Sequence, residues 1–347
     1  YHEAASIQRR LGLDQDLSGT LTNLGIARLT QAEMGINPAA NLESAIAAYD
    51  EAASIQRRLG LDLDLSRTLT NLGLARITQA NMGINPTTNL ERALAAYDEA
   101  AGIRRRLGLD KDLSSTLTNL GNAYRTQAEL GMNPAANLER AITAHDEAAS
   151  IQRRLGLDLD LSRTLTNLGL AHSTQAKMGI NPAANLERAI AAYDEAAEIM
   201  RRLGLDKDLS ETLTNLGNAY RTRAELGMNL AANLERAIAA YDEAAAIRRR
   251  LGLDKDLSIT LTNLRNALGM LGDIQRKRGR WEEAERLYRQ SLEVQTELGD
   301  RVGMATSWGQ LGDIEFNRGN WEEAERLYRQ CLEIETELGD RAGMATT

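Results

Sequence analysis

Cysteine is nearly absent. The single Cys331 excludes an intrachain disulfide and offers no sign of an oxidising compartment. Aromatics make up only 4% of the 347 residues while Ala and Leu abound, so a core of this kind suits close helix packing better than a sheet. No apolar run approaches the roughly 18 residues that a membrane-spanning helix needs. Excess positive charge is missing too. A net charge of −8 and a pI of about 5.2 argue against a general binder of nucleic acid or anionic membrane. Strand signals and a leader-like N-terminus are also lacking, because YHEAASIQRRLG at Tyr1 returns as YDEAASIQRRLG at Tyr49. The chain therefore opens inside a repeat, as a fragment or trimmed product would.

What is present is repetition. Tyr1, Tyr49, Tyr97, His145, Tyr193 and Tyr241 mark a 48-residue period. From Leu271 the period becomes 40, as LGDIQRKRGRWEEAERLYRQ returns at Leu311 as LGDIEFNRGNWEEAERLYRQ. Repeats of this length signal an array in which each unit buries its apolar face against its neighbours. Within one unit, DLSRTLTNLGLARITQANMG has N-cap candidates in Asp64 and Ser66, with Leu69, Leu72 and Gly73 on one face. NLERALAAYDEAAGIRRRLG has an N-cap candidate in Asn89 and an apolar stripe of Leu90, Ala93, Leu94, Tyr97, Ala100 and Ala101. Met82–Ile84 and Leu107–Leu109 each place a glycine before an apolar residue, the Schellman ending. Arg104, Arg105 and Arg106 suit the carbonyl end of their helix. Pro38, Pro86, Pro134 and Pro182 each follow an Asn, which favours an extended step between two helices.

These residues resemble the tetratricopeptide repeat (TPR). The family's first helix carries Leu-Gly and then Tyr, as Leu120, Gly121 and Tyr124, or Leu216, Gly217 and Tyr220. Its second helix carries Ala, an aromatic and Ala, as Ala93, Tyr97 and Ala100, or Ala189, Tyr193 and Ala196. Gly312, Gly319, Trp321, Ala324 and Tyr328 match near the C-terminus. The resemblance implies an all-α fold, a right-handed α-solenoid of antiparallel helix pairs. It divides the chain into a partial repeat (residues 1–14), five 48-residue pairs (15–254), and two 40-residue units plus the start of a further helix at Arg341 (255–347). About eight residues, as in GMNPAAN from Gly131, read as an insertion between the helices. Such arrays resemble the repeat regions of large bacterial, notably cyanobacterial, multidomain proteins. There they accompany a caspase-like protease or an NTPase switch, and neither domain's motif occurs here. Arg28, Arg76 and His172 replace the first-helix tyrosine, and Arg265 replaces the glycine where the period breaks.

Catalytic patterns do not emerge. His2, His145 and His172 fall at different repeat positions, and His145 reads as a packing substitution for tyrosine. Cys331 has no nearby histidine, and no HExxH, GxSxG, P-loop or paired-cysteine spacing occurs. Acidic pairs such as Asp98–Glu99 read as a solvated face, and QRKRGR at Gln275 as helix-end electrostatics. No enzyme and no cofactor or metal is expected.

The string TLTNLG sets the remaining question. Its asparagine recurs as Asn23, Asn71, Asn119, Asn167, Asn215 and Asn263. At 100° per residue from Leu21, the buried face centres near about 350° and Asn23 lies near about 200°. In the family this side of the first helix lines the concave groove, where the asparagine bonds a bound peptide's backbone. A carboxamide donates and accepts, matching a peptide N–H and C=O without reading sequence. Neighbouring positions supply selectivity: Arg67, Leu74 and Thr78, then Asn122 and Thr126, Arg163 and Leu170, Asn218 and Thr222. The expected function is a scaffold module of a larger cytoplasmic protein that binds a protein or extended peptide in the concave groove lined by first helices, without nucleic acid or membrane. The competing reading is that duplication alone repeats an idle surface asparagine. The alternative is a structural spacer, or head-to-tail self-association through uncapped ends.

Overall fold

The structure, a computed structural model, describes residues 1–339. The start of a further helix expected at Arg341 lies outside the described residues. The described residues form helices and short connections, divided into two compact units, Tyr1–Pro182 and one that begins at Ala183.

The first unit contains α1 (His2–Leu11), α2 (Asp14–Glu33), α3 (Pro38–Leu59), α4 (Asp62–Asn81), α5 (Pro86–Leu107), α6 (Asp110–Glu129), α7 (Pro134–Leu155) and α8 (Asp158–Lys177). Helices α2/α3, α4/α5 and α6/α7 pack as pairs. The second contains α9 (Pro182–Leu203), α10 (Asp206–Glu225), α11 (Leu230–Leu251), α12 (Asp254–Lys277), α13 (Trp281–Leu298), α14 (Arg301–Arg318) and α15 (Trp321–Leu338), with pairs α10/α11, α12/α13 and α14/α15.

One contact organises each pair. The first-helix glycine accepts the ring of the second-helix aromatic: Gly25 with Tyr49, Gly73 with Tyr97, Gly121 with His145, Gly217 with Tyr241, Gly272 with Tyr288 and Gly312 with Tyr328. A Cβ on any of these glycines would lie 2.4–2.6 Å from a ring atom. Around the ring, small alanines such as Ala45, Ala53 and Ala75 let the helices approach, and Leu42, Leu65 and Leu69 fill the space. Each such leucine contributes about 1.5–3 kcal/mol by leaving water. The threonines of TLTNLG join adjacent first helices. Thr22 Oγ1 lies 3.0 Å from Thr68 Oγ1, and Thr118 Oγ1 lies 2.9 Å from Thr164 Oγ1.

Helix starts differ from expectation. Helix α4 begins at Asp62, ahead of Ser66, and has no side-chain cap. Helix α5 begins at Pro86, so Asn89 lies inside its first turns. There its Nδ2 donates to Ile84 O at 2.8 Å and staples the linker. The residue before each proline is left-handed and not extended: Asn37, Asn85, Asn133 and Asn181 have φ of 38–41°, and Asn229, which precedes Leu230, has φ 43°. A four-residue linker (34–37 in the first pair) must reverse the chain, and asparagine tolerates this conformation best after glycine. The eight additional residues of the longer repeat are thus not a long loop. Compared with α14/α15, two lengthen the first helix, two the linker and four the second helix. The Schellman endings hold: Gly108 has φ 66°, and Leu109 N donates to Arg104 O at 3.0 Å. Replacing Asn133 by Gly is expected to leave stability unchanged or raise it slightly. Replacing it by Ala should cost about 1 kcal/mol, read as a shift in the urea midpoint.

Acidic pairs are not idle. In the first unit Arg57 grips Glu99 through both carboxylate oxygens at 2.7 Å, repeated by Arg9 with Glu51 and Arg105 with Glu147. Arg58 and Arg106 reach back to Asp14 and Asp62 at 2.8 and 2.9 Å. Each pair is half exposed and worth little alone. In the second unit Arg265, standing where glycine is expected, pairs with Asp300 and ties the long α12 to the start of α14.

Candidate functional site

Helices α2 and α4 run side by side, and between them lies a depression of about 750 Å³. First-helix residues form its walls, with Asn23 and Asn71 on neighbouring helices opening into it. Its floor is made by the last turns of second helices, through Gln56 and Arg104. This follows from the helical repeat: with Leu21, Gly25 and Leu69 turned to the core, a residue two past each leucine faces away.

The six asparagines share a chemical state. Asn23 is exposed and the other five are half-buried, and among the described residues none of their carboxamides makes a hydrogen bond. Their neighbours vary. Arg67 stands exposed 4.0 Å from Asp64, and Arg163 is exposed. Leu74 is 39% exposed and Leu170 half-buried. The hydroxyls of Thr126 and Thr222 donate to their own helices, at Asn122 O and Asn218 O. Asn218 turns inward, where its Oδ1 accepts from the Tyr241 hydroxyl at 2.8 Å. Asn122 is placed alike, but its Oδ1 is buried without a partner because His145 replaces the tyrosine. Tyr49, whose first helix carries Ile26 at this position, has an unpartnered hydroxyl. Of these two amides, Asn218 is thus the one that meets a tyrosine hydroxyl of the core.

His145 is fully buried, and neither ring nitrogen has a partner. Burial, helped by the charge of Arg125, pulls its pKa down to about 3, so the ring is neutral. Cys331 is buried on α15. Among the described residues no group of three or more His, Cys, Asp or Glu is placed to hold a metal ion, and no helix is long and apolar enough to cross a membrane.

Sequence reasoning missed Gln56, Arg104 and the threonine bridges. The recurring Thr-x-Thr was visible, as was the one position where the last turn changes from Gln to Arg.

Comparison with known proteins bears on the fold. The family model described as a tetratricopeptide repeat matches residues 263–337. No curated protein matches the chain. Among solved structures the chain is similar to the apo form of RapI, at 12% identity over 93% of this chain and 98% of that one, with a TM-score of 0.54. It is similar to aspartyl phosphate phosphatase F from Bacillus subtilis, at 14% identity over 96% and 73%, with a TM-score of 0.53. It is also similar to a signal transduction ATPase with a tetratricopeptide repeat sensor from Pyrococcus horikoshii, at 15% identity over 96% of this chain and 45% of that one, with a TM-score of 0.53. At these identities the likeness is one of fold. Proteins built of tetratricopeptide repeats typically mediate protein–protein interaction. Residues 263–337 thus carry the tetratricopeptide repeat, and the glycine-and-aromatic helix pair found there recurs in both units of an all-helical, tetratricopeptide-like fold.

Proposed function

We propose that the first unit binds an extended peptide or protein segment in the depression between α2 and α4. The observation that carries this reading is the pair Asn23 and Asn71, two carboxamides without protein partners opening into one concavity. Neighbouring strand-like residues of a ligand present N–H and C=O groups that such amides can take. Gln56 supports it from below, since its Oε1 is buried in the floor without a partner.

Variation among the copies supports it further. The repeats are nearly identical, yet Gly19 becomes Arg67, Ser115, Arg163, Glu211 and Ile259, and Gln8 becomes Gln56, Arg104, Gln152, Met200 and Arg248. Gln15 and Ile26 vary likewise, and all four positions line the depression. Substitutions at Arg28 and Leu29 fall instead within the packing, and those at Glu33 and Ser54 fall on exposed faces outside the depression. Asparagines held constant amid varied neighbours are the pattern expected of a surface that grips any backbone and selects among side chains.

The test is to pan a phage-displayed library of random dodecapeptides against the chain and against its Asn23→Ala/Asn71→Ala variant. Recovery should fall about tenfold or more in the variant, since two backbone hydrogen bonds are lost. Equal recovery, with unchanged thermal melting, would sink the reading. A spacer or a self-assembling array predicts that equality.

A further inference from the structure

A cation lies on the floor of the depression, and the fold does not neutralise it. Arg104, in the last turn of α5, is 5% exposed. Its Nη1 donates to Asp112 O at 2.9 Å and to the Thr116 hydroxyl, while its Nε is buried without a partner. Among the described residues no carboxylate lies within ion-pair distance of it. Its sequence neighbours differ sharply: Arg105 holds Glu147 at 2.7 Å and Arg106 holds Asp62 at 2.9 Å. The acids lining the depression do not supply the missing charge. Asp64 pairs with Arg67 at 4.0 Å, and Asp16 stands on an exposed first turn of α2. Burial pulls the Arg104 pKa down, Asp112 offsets part of this, and Arg67 adds repulsion.

A buried guanidinium without a counter-charge is costly, so it persists only where something offsets it. The array shows that the fold does not require it. Equivalent positions hold Gln56 and Gln152 in the first unit, and Met200 in the second. The second unit also repeats the arginine. Arg248 is 6% exposed, its Nη1 donates to Asp256 O at 2.8 Å and to the Thr260 hydroxyl, and it too has no ion pair among the described residues.

Resting on the groove reading above, we propose that Arg104 receives the side-chain carboxylate of an Asp or Glu in the bound peptide. The ligand's main chain runs past Asn23 and Asn71 and its acidic side chain descends to the floor. There the carboxylate meets a desolvated guanidinium, where a charge-assisted hydrogen bond is strongest. The ligand class is therefore an extended segment with one acidic residue in a fixed register.

Peptides recovered by panning, resynthesised with amidated C-termini so that only side-chain carboxylates are offered, provide the probe. The binding partner for comparison is the Arg104→Gln chain, which reproduces the residue the array itself uses at Gln56 and should melt normally. The recovered peptides should share an acidic residue at one position. Changing it to its amide should weaken binding about tenfold or more to the parent and less than about twofold to Arg104→Gln, the coupling expected of a direct contact. Peptides whose capture depends on Asn23 and Asn71 but which share no acidic position would overturn the assignment and leave the groove standing. An amide change that costs the same on both chains would overturn it as well. Capture independent of Asn23 and Asn71 would remove the groove and this proposal together.

Discussion

Gly73→Ala is expected to destabilise the α4–α5 pair by about 3 kcal/mol, at the upper end of overpacking effects. The new methyl would sit 2.6 Å from the Tyr97 ring. That ring cannot withdraw, because it is 1% exposed and packed among Ala93, Ala101, Leu113 and Leu117. Gly102→Ala on α5 makes the control. It is a helix-interior glycine with nothing within 4 Å of the added carbon, and the sixth copy already carries Ala246 there. That change should stabilise the chain by up to about 1 kcal/mol. Urea unfolding followed by circular dichroism should thus give shifts of opposite sign for one chemical change at two glycines of one repeat. Shifts of equal sign and size would mean that the glycine-and-ring contact does not organise the pair.

His145→Tyr is expected to stabilise the first unit, and more so in acid. Tyr241 shows the geometry the variant would adopt, with its hydroxyl on Asn218 Oδ1 at 2.8 Å. Asn122 Oδ1 waits unpartnered at the matching place, so at pH 7 the gain is about 1 kcal/mol. The acid effect follows from proton linkage. His145 has a pKa of about 3 when folded against 6.5 ordinarily, so the unfolded chain takes the proton first as pH falls. Its contribution is whole above about pH 6.5 and declines by about 1.4 kcal/mol per unit below it, reaching a loss of about 2 kcal/mol at pH 5. Other carboxyl groups titrate in both chains, so the difference between parent and variant isolates this term. Unfolding midpoints at pH 7 and pH 5 should diverge by that amount. A pH-independent difference would show that His145 is not held neutral by burial.

Much of this architecture is legible in the sequence, for physical reasons that differ by feature. The stripe of Leu90, Ala93, Tyr97 and Ala100 is set by helical periodicity, and Gly108 before Leu109 by a local hydrogen-bond pattern. Both are properties of neighbouring residues, so both could be read directly. Helix starts were harder, because Asn85 and Asn89 are the same residue type in one linker. The first takes the left-handed turn, whereas the second donates to Ile84 O from within α5. The turn of Asn23 and Asn71 away from the core was accessible to geometry alone. Arg104 was not. As one of three arginines in a last turn it looked like its neighbours, and only the packing shows that Arg105 and Arg106 are paired and it is not. Asn218 shows the converse: its side is set by the reach of Tyr241, a contact between helices that no local pattern encodes.

If the first unit holds a ligand by its main chain, Asn71 should couple to single backbone N–H groups of that ligand. The direct measurement is an amide-to-ester scan along one panned peptide, which removes one backbone N–H at a time and leaves the side chains in place. Affinities are then measured for the parent chain and for Asn71→Ala. One ester should weaken binding to the parent about fivefold and leave binding to Asn71→Ala unchanged, as expected for one lost backbone hydrogen bond. A scan in which no ester position couples to Asn71 would show that Asn71 does not hold the ligand's main chain.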